Sequence, residues 1–299
     1  MMLTKTIQIN NVEWRTSGGV LANASVARLD LLHPVVSGNK FFKLKYNLQQ
    51  AKTEGKGIMT MGGAYSNHLA ATAFACYEAG IPSIGLVRGE LTEPLNHTLS
   101  FCKQHQMKLM AVPRHLYNRT SAYIQTILAE HENYSLIPEG GDNTEGEKGC
   151  SEIASCIPGF TSFTHIACAA GTGTTARGLA QSLLPHQTLL VIPVLKIKQE
   201  EQHAFLQQHL SVHNHHQLQT HFDQAGKGYA SKEPDLFACM NTFYQQTGIP
   251  LDFVYTAKLI RAITHLFSQQ YFKVNDHVLI IHTGGLQGNE SLPKGTLLY

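Results

Sequence analysis

At 299 residues the chain is long enough to bury a full core in one large or two modest domains. Its 23 Lys and Arg stand against 21 Asp and Glu, with no block of like charge, which argues against a basic nucleic-acid stripe or an acidic interaction tail. Six scattered cysteines (Cys76, Cys102, Cys150, Cys156, Cys168 and Cys239) lack CxxC spacing, so neither a zinc set nor a disulfide framework is predicted.

A reducing, cytoplasmic setting is the simple expectation. The opening MMLTKTIQINNVEW has no apolar signal-like region, and no apolar run approaches the roughly 20 residues that cross a bilayer. Neither a membrane nor a nucleic acid is expected as a partner.

In chain order, short apolar runs alternate with longer helix-like stretches, the pattern of parallel sheets with crossover helices. Gly57–Gly63 reads as a buried strand ending in a glycine turn, and Asn67–Ala79 as an Ala-rich helix started by Ser66. Strands are predicted at 83–87, 108–112 and 135–137, with helices at 94–104 and 117–131 between them. The stretch PEGGDNTEGEKG then reads as a boundary loop.

After it the pattern restarts: strand 164–169, turn 171–173, helix 174–184, strand 188–194, and a last strand at 278–282 closing in TGGLQGN. The polar, histidine-rich segment 199–221 reads as a helix plus a surface loop. The predicted organisation is a large domain of residues 1–50 and 150–299 with a smaller α/β domain, 51–149, inserted in it. The predicted fold class is α/β, with two open, twisted, mostly parallel sheets and helices on both faces.

Four glycine-bearing turns outline a candidate site, because ligands of open α/β sheets sit beyond the carboxyl ends of strands. In Ser37-Gly38-Asn39-Lys40 the lysine lies near a helix start, whose dipole disfavours the charged amine and so favours imine chemistry. Taken alone, Lys40 reads as a solvated surface lysine. In Gly62-Gly63-Ala64-Tyr65-Ser66-Asn67-His68 the helix start can hold a carboxylate, although an isolated Ser66 is simply an N-cap.

In Ala170-Gly171-Thr172-Gly173-Thr174-Thr175, amides and three hydroxyls form a phosphate cradle. With Ala176 this turn also approaches the dinucleotide pattern GxGxxA, but no ribose-binding acid closes the next strand before Glu200. At His282-Thr283-Gly284-Gly285 a threonine ends the last strand and could meet a ring nitrogen. Tyr255, followed by Thr256 in FVYTAK, is a candidate acid or base. Together these features favour pyridoxal 5'-phosphate over a nucleotide.

The motifs SGNKFFKLKYNL, MGGAYSNHLAATAFAC, CAAGTGTTARG, FVYTAK and IHTGGLQG, in this order, resemble the 1-aminocyclopropane-1-carboxylate deaminase / D-cysteine desulfhydrase family. That family belongs to the fold-type II pyridoxal-phosphate enzymes, with the tryptophan synthase β-subunit. The resemblance runs from about residue 28 to 288. It implies that Lys40 is the Schiff-base lysine, that Asn67 contacts the phenolic oxygen of the cofactor, and that Ser66 sits beside the substrate. It further implies that Gly171, Thr172, Gly173, Thr174 and Thr175 hold the phosphate, that Tyr229 and Tyr255 are the two active-site tyrosines, and that the enzyme is a homodimer.

Two residues depart from the family pattern: Ser37 stands for a glycine and Phe42 for an arginine. Within the family, cyclopropane deaminases carry Glu and Leu where this chain has Thr256 and Thr283, and desulfhydrases carry small hydroxyl residues. A hydroxyl leaves the pyridine nitrogen largely unprotonated, which suffices for β-elimination but makes a weak electron sink for ring opening.

The expected activity is therefore a deaminating β-elimination on a small amino acid, D-cysteine first, giving pyruvate, ammonia and hydrogen sulfide. The D preference comes from the resemblance. The alternatives are cyclopropane deamination, an NAD(P) oxidoreductase built on GTGTTA, and a non-catalytic pyridoxal-phosphate binder. His213, His215 and His216 lack a convergent carboxylate or Cys and read as a solvated loop, so no metal is expected.

Overall fold

Residues Ile9–Arg15 alternate, with Val12 and Trp14 buried and Asn11, Glu13 and Arg15 exposed, which is the period of a strand with one wet face. This strand, β1, pairs antiparallel with β2 (Leu21–Arg28), setting Val12 opposite Ala24 and Trp14 opposite Ala22. The computed structural model describes residues 6–15 and 19–299.

The chain continues through α1 (Asn39–Glu54), β3 (Gly57–Gly63), α2 (Asn67–Ala79), β4 (Ser83–Arg88), α3 (His97–Gln104) and β5 (Lys108–Val112). Next come α4 (Ala122–Glu130), β6 (Tyr134–Ile137), α5 (Thr144–Ser151), β7 (His165–Ala170), α6 (Thr174–Ala180) and β8 (Thr188–Pro193). The last elements are α7 (Gln202–His209), β9 (Leu218–Thr220), α8 (Pro234–Thr247), α9 (Thr256–Ser268) and β10 (Val278–His282).

Two compact units result: Met1–Asn39 with Cys150–Tyr299, and Lys40–Gly149. The first is built on a six-stranded sheet in the order β1-β2-β10-β7-β8-β9, parallel except at the β1–β2 pair. Its inner strands read as continuous apolar runs, VLIIH and TLLVIP, because both faces are buried. Trp14 packs edge-on against Phe243 at 5.3 Å and donates its indole N–H to Thr264 Oγ1 at 2.9 Å, joining β1 to the helices of this core. The second unit holds a four-stranded parallel sheet, β5-β4-β3-β6. Leu69, Ala70 and Ala73 of α2 pack there with Val87, Leu99 and Cys102.

Several predicted boundaries move for local reasons. α3 starts at His97 because Asn96 accepts the Leu99 N–H at 2.9 Å, and α4 starts at Ala122 because Ser121 accepts that of Ile124 at 3.3 Å. The predicted loop PEGGDNTEGEKG contains α5, whose first turn is secured by Asn143 accepting the Gly146 N–H at 2.9 Å. α6 stops at Ala180 rather than at 184, and the Leu184 N–H turns to the Gln187 side chain instead. Within the histidine-rich segment, β9 adds an edge strand paired with β8, setting Leu218 opposite Leu189. Among the described residues no helix is long and apolar enough to cross a membrane.

Candidate active site

In the first unit, β2, β10, β7 and β8 lie side by side in one parallel run, so the turns at their carboxyl ends gather along one edge. Beyond β2, the residues Ser37–Asn39 press against the end of β10. Gly38 has φ +66°, and a Cβ there would lie 1.8 Å from the Thr283 carbonyl oxygen. Only glycine satisfies both conditions. Ser37 uses its hydroxyl to donate to the Asp30 carbonyl at 3.1 Å.

Beneath this turn Arg28 holds Asp30 through two bonds of 2.8 and 2.6 Å. Asp30 Oδ1 lies 3.2 Å from His282 Nδ1, and His282 Nε2 donates to the Pro250 carbonyl at 2.7 Å. All three side chains are buried.

Asn39 ties two of the turns together. Its backbone N–H donates to the Thr283 carbonyl at 3.2 Å, and its side-chain amide donates to Thr175 Oγ1 at 2.8 Å. The glycine turn after β7 therefore sits against the residue that directly precedes Lys40. In that turn Gly173 has φ +79°, and a Cβ there would meet the His209 carbonyl oxygen at 2.0 Å. The hydroxyls of Thr172 and Thr174 are 3.0 Å apart, and Arg177 braces the loop by donating to the carbonyls of Thr172 and His209. At Gly171 a Cβ would touch nothing nearer than the Tyr255 ring at 3.4 Å.

Tyr229 and Tyr255 come together: their hydroxyl oxygens are 3.4 Å apart and their rings meet edge-on. Thr283 is buried at the end of β10. Thr256 is buried too, but its hydroxyl is committed to Asp252, donating to the carboxylate at 2.7 Å and accepting the Asp252 N–H at 2.7 Å.

In the second unit Lys40 is the second residue of α1, and the position of the expected arginine is filled by Phe42, buried edge-on against Phe41 at 5.6 Å. Ser66 is the N-cap of α2, accepting the Leu69 N–H at 3.2 Å, and Asn67 follows it as the first helical residue. His68 is buried in this unit. Burial first, then the charges of Lys40 and Lys43, hold its imidazole well below the usual range, so it is neutral. Thr60 donates to the Ile137 carbonyl at 2.9 Å, so its oxygen accepts from His68 Nε2–H at 2.9 Å.

Sequence reasoning overlooked Asp252 and Lys258. Asp252 accepts the N–H groups of Val254, Tyr255 and Thr256 besides the Thr256 hydroxyl. The D-x-x-x-T spacing ahead of an amphipathic helix signals such a start. Lys258 stands on the apolar face of α9 among Ala257, Leu259 and Ala262, and a lysine at such a position is itself the signal. Burial lowers its pKa to about 8, against the opposing pull of Glu233.

These residues suit a phosphorylated pyridine aldehyde. A primary amine directly follows an asparagine bonded to the glycine turn, that turn offers three hydroxyls, and Gly171 leaves room against a tyrosine ring.

The comparisons agree. The model of the family described as pyridoxal-phosphate dependent enzyme matches residues 17–284. A Thermotoga maritima protein provisionally named 1-aminocyclopropane-1-carboxylate deaminase is 29% identical over 289 residues, covering 89% of each chain. D-cysteine desulfhydrase of Klebsiella pneumoniae strain 342 is 26% identical over 284 residues, covering 87% of this chain and 86% of that one. Among solved structures, a homologue of ACC deaminase superposes with a TM-score of 0.77 at 21% identity, over 97% of this chain and 92% of that one. A hydrogen sulfide-producing enzyme of Fusobacterium nucleatum shares the fold, with a TM-score of 0.70 at 11% identity over 97% of this chain and 88% of that one. The two mostly parallel sheets are thus those of the fold-type II enzymes, the cofactor is pyridoxal 5'-phosphate, and the chain belongs to the pyridoxal-phosphate dependent enzymes.

Proposed function

We propose that this enzyme is a deaminating lyase that eliminates the β-substituent of a small amino acid, with D-cysteine as its substrate. The observation that carries the reading is the hydroxyl, rather than a carboxylate, at both Thr256 and Thr283. The neighbouring acids do not make up for it. Asp252 is taken up by three backbone N–H groups and the Thr256 hydroxyl, and Asp30 by Arg28 and His282. With Thr256 committed to Asp252, Thr283 is the group assigned to the pyridine nitrogen. A hydroxyl there leaves that nitrogen largely neutral, which suits a substrate whose own leaving group carries off the electron pair.

Pyridoxal 5'-phosphate, when bound, supplies an aldehyde for the substrate amine and an electron sink for the α-carbon. The rest falls to side chains. Lys40 holds the cofactor and takes the α-proton. Gly171, Thr172, Gly173, Thr174 and Thr175 hold the phosphate, and Asn67 steadies the phenolic oxygen. Ser66 and the amides at the start of α2 receive the substrate carboxylate.

The paired hydroxyls of Tyr229 and Tyr255 carry a proton at the reacting end of the substrate. Breakage of the Cβ–S bond sends the electron pair out with hydrosulfide. The aminoacrylate left behind takes up water, giving pyruvate and ammonia.

The relative from Thermotoga maritima supports a second reading, opening of the cyclopropane ring. One assay separates the two. Purified protein with added cofactor is given D-cysteine or the cyclopropane amino acid, and pyruvate with sulfide is measured beside the four-carbon 2-oxo acid. Pyruvate and sulfide from D-cysteine, abolished together with the visible band of the bound cofactor by Lys40→Ala, is the expected result. Release of the four-carbon acid alone transfers the assignment to ring opening.

A further inference from the structure

Tyr229 is half exposed, and it sits on a segment that helical or sheet bonding does not hold. Gly226, Gly228 and Ala230 all take positive φ, at +64°, +114° and +51°. The two glycines take such φ freely, but at Ala230 it persists only where the surroundings enforce it. Two charged groups enforce it here. Glu233 accepts the Lys227 N–H at 3.0 Å and the Ser231 hydroxyl, and is itself held by Arg261 at 3.1 Å. The second is the ammonium of Lys258, fully buried in α9. It donates to the carbonyls of Ala225 at 2.9 Å and Val194 at 3.1 Å, and to that of Gly228.

We propose that Lys258 is the positioning residue for Tyr229: its ammonium pins residues 225–228 to the end of β8 and so keeps the Tyr229 hydroxyl at the Tyr255 hydroxyl. The chemistry supports this over a merely space-filling lysine. Three carbonyls converge on one nitrogen that has three hydrogens, a match that an apolar side chain of the same length cannot make. Two of the carbonyls belong to the segment next to Tyr229, and the third is on Val194, directly beyond the sheet. Without the ammonium, the buried carbonyls must find water, and the segment opens to admit it.

The turnover part of the test rests on the proposed role of Tyr229, and the exchange part does not. Holoenzyme carrying Lys258→Met is compared with the parent by hydrogen–deuterium exchange. Amides of residues 225–231 are expected to exchange about tenfold faster or more, while those of β7 and β10 keep their protection. On D-cysteine, Lys258→Met is expected to lower turnover, and adding it to Tyr229→Phe is expected to cost nothing further, because both act through one hydroxyl.

Unchanged exchange at 225–231 overturns the proposal, and so do losses that multiply in the double variant. Should Lys258→Met fail to fold, Lys258→Gln, which keeps two donors, is read in the same way. If the parent does not turn over D-cysteine, the functional assignment fails and the exchange result alone decides the role of Lys258.

Discussion

Asp252 and Thr256 hold each other through a reciprocal pair of 2.7 Å hydrogen bonds, the hydroxyl donating to the carboxylate and accepting the Asp252 N–H. Both residues are buried, and the same carboxylate takes three backbone N–H groups at the start of α9. Thr256, on which the proposed reading rests, thus lies against the carboxylate that caps the helix behind Tyr255 by taking its first N–H groups.

The cap makes a prediction about swapping activities. Thr256→Glu would bury a second carboxylate beside Asp252, and Asp252→Ala would take the carboxylate away from three backbone N–H groups. Each is expected to destabilise the protein by about 2–4 kcal/mol in denaturant unfolding, and Thr256→Glu alone is expected not to create ring-opening activity. A Thr256→Glu protein as stable as the parent would show that the site tolerates two acids.

The turn that carries Lys40 is expected to accept no side chain at residue 38. A Cβ on Gly38 would lie 1.8 Å from the Thr283 carbonyl oxygen, at a φ of +66°. Gly38→Ala should cost about 3 kcal/mol or more and abolish the visible band of the bound cofactor. Retention of that band with a parental Tm would contradict the close approach of the two turns.

Glu233 gives an acid dependence whose sign is fixed. Burial alone would raise its pKa, but hydrogen bonds from Ser231, the Lys227 N–H and Arg261 outweigh burial and hold it at about 2. A carboxylate with a depressed folded pKa stabilises the protein above its unfolded value, near 4.5, and that contribution fades as the pH falls toward 2. It is worth on the order of 3 kcal/mol. Unfolding free energies measured from pH 6 to pH 2.5 should therefore fall less steeply for Glu233→Gln than for the parent. Equal slopes would place the acid sensitivity elsewhere.

Burial pushes the thiols of Cys76 and Cys102 up to about 12. Neither should react with a thiol reagent in native protein at pH 8, since the thiolate is the nucleophile. Mass spectrometry of labelled peptides is expected to find both sites modified only when denaturant is present. Labelling in buffer alone would mean that α2 and α3 open far more readily than their packing implies.

Much of the fold was legible because parallel strands buried on both faces write themselves as apolar runs. Gly57–Gly63, Lys108–Val112 and Val278–His282 are strands over the residues predicted. Helix α2 likewise runs over Asn67–Ala79, with Ser66 as its cap, because capping is chemistry between near neighbours in the chain. The edge strand β9 was not legible. Three polar-flanked residues become a strand only because Leu189 stands opposite Leu218.

The sequence by itself determined the strands buried on both faces, the cap of α2, the glycine turns and the cofactor class, since each depends on residues a few positions apart whose steric and hydrogen-bonding needs travel with them. Tertiary structure alone decided which of those residues meet. It joined Asn39 to Thr175 across 136 positions, spent the Thr256 hydroxyl on Asp252, and set Lys258 under the Tyr229 segment. Side-chain partners at that separation are chosen by the packing of the sheet, and no local pattern encodes them.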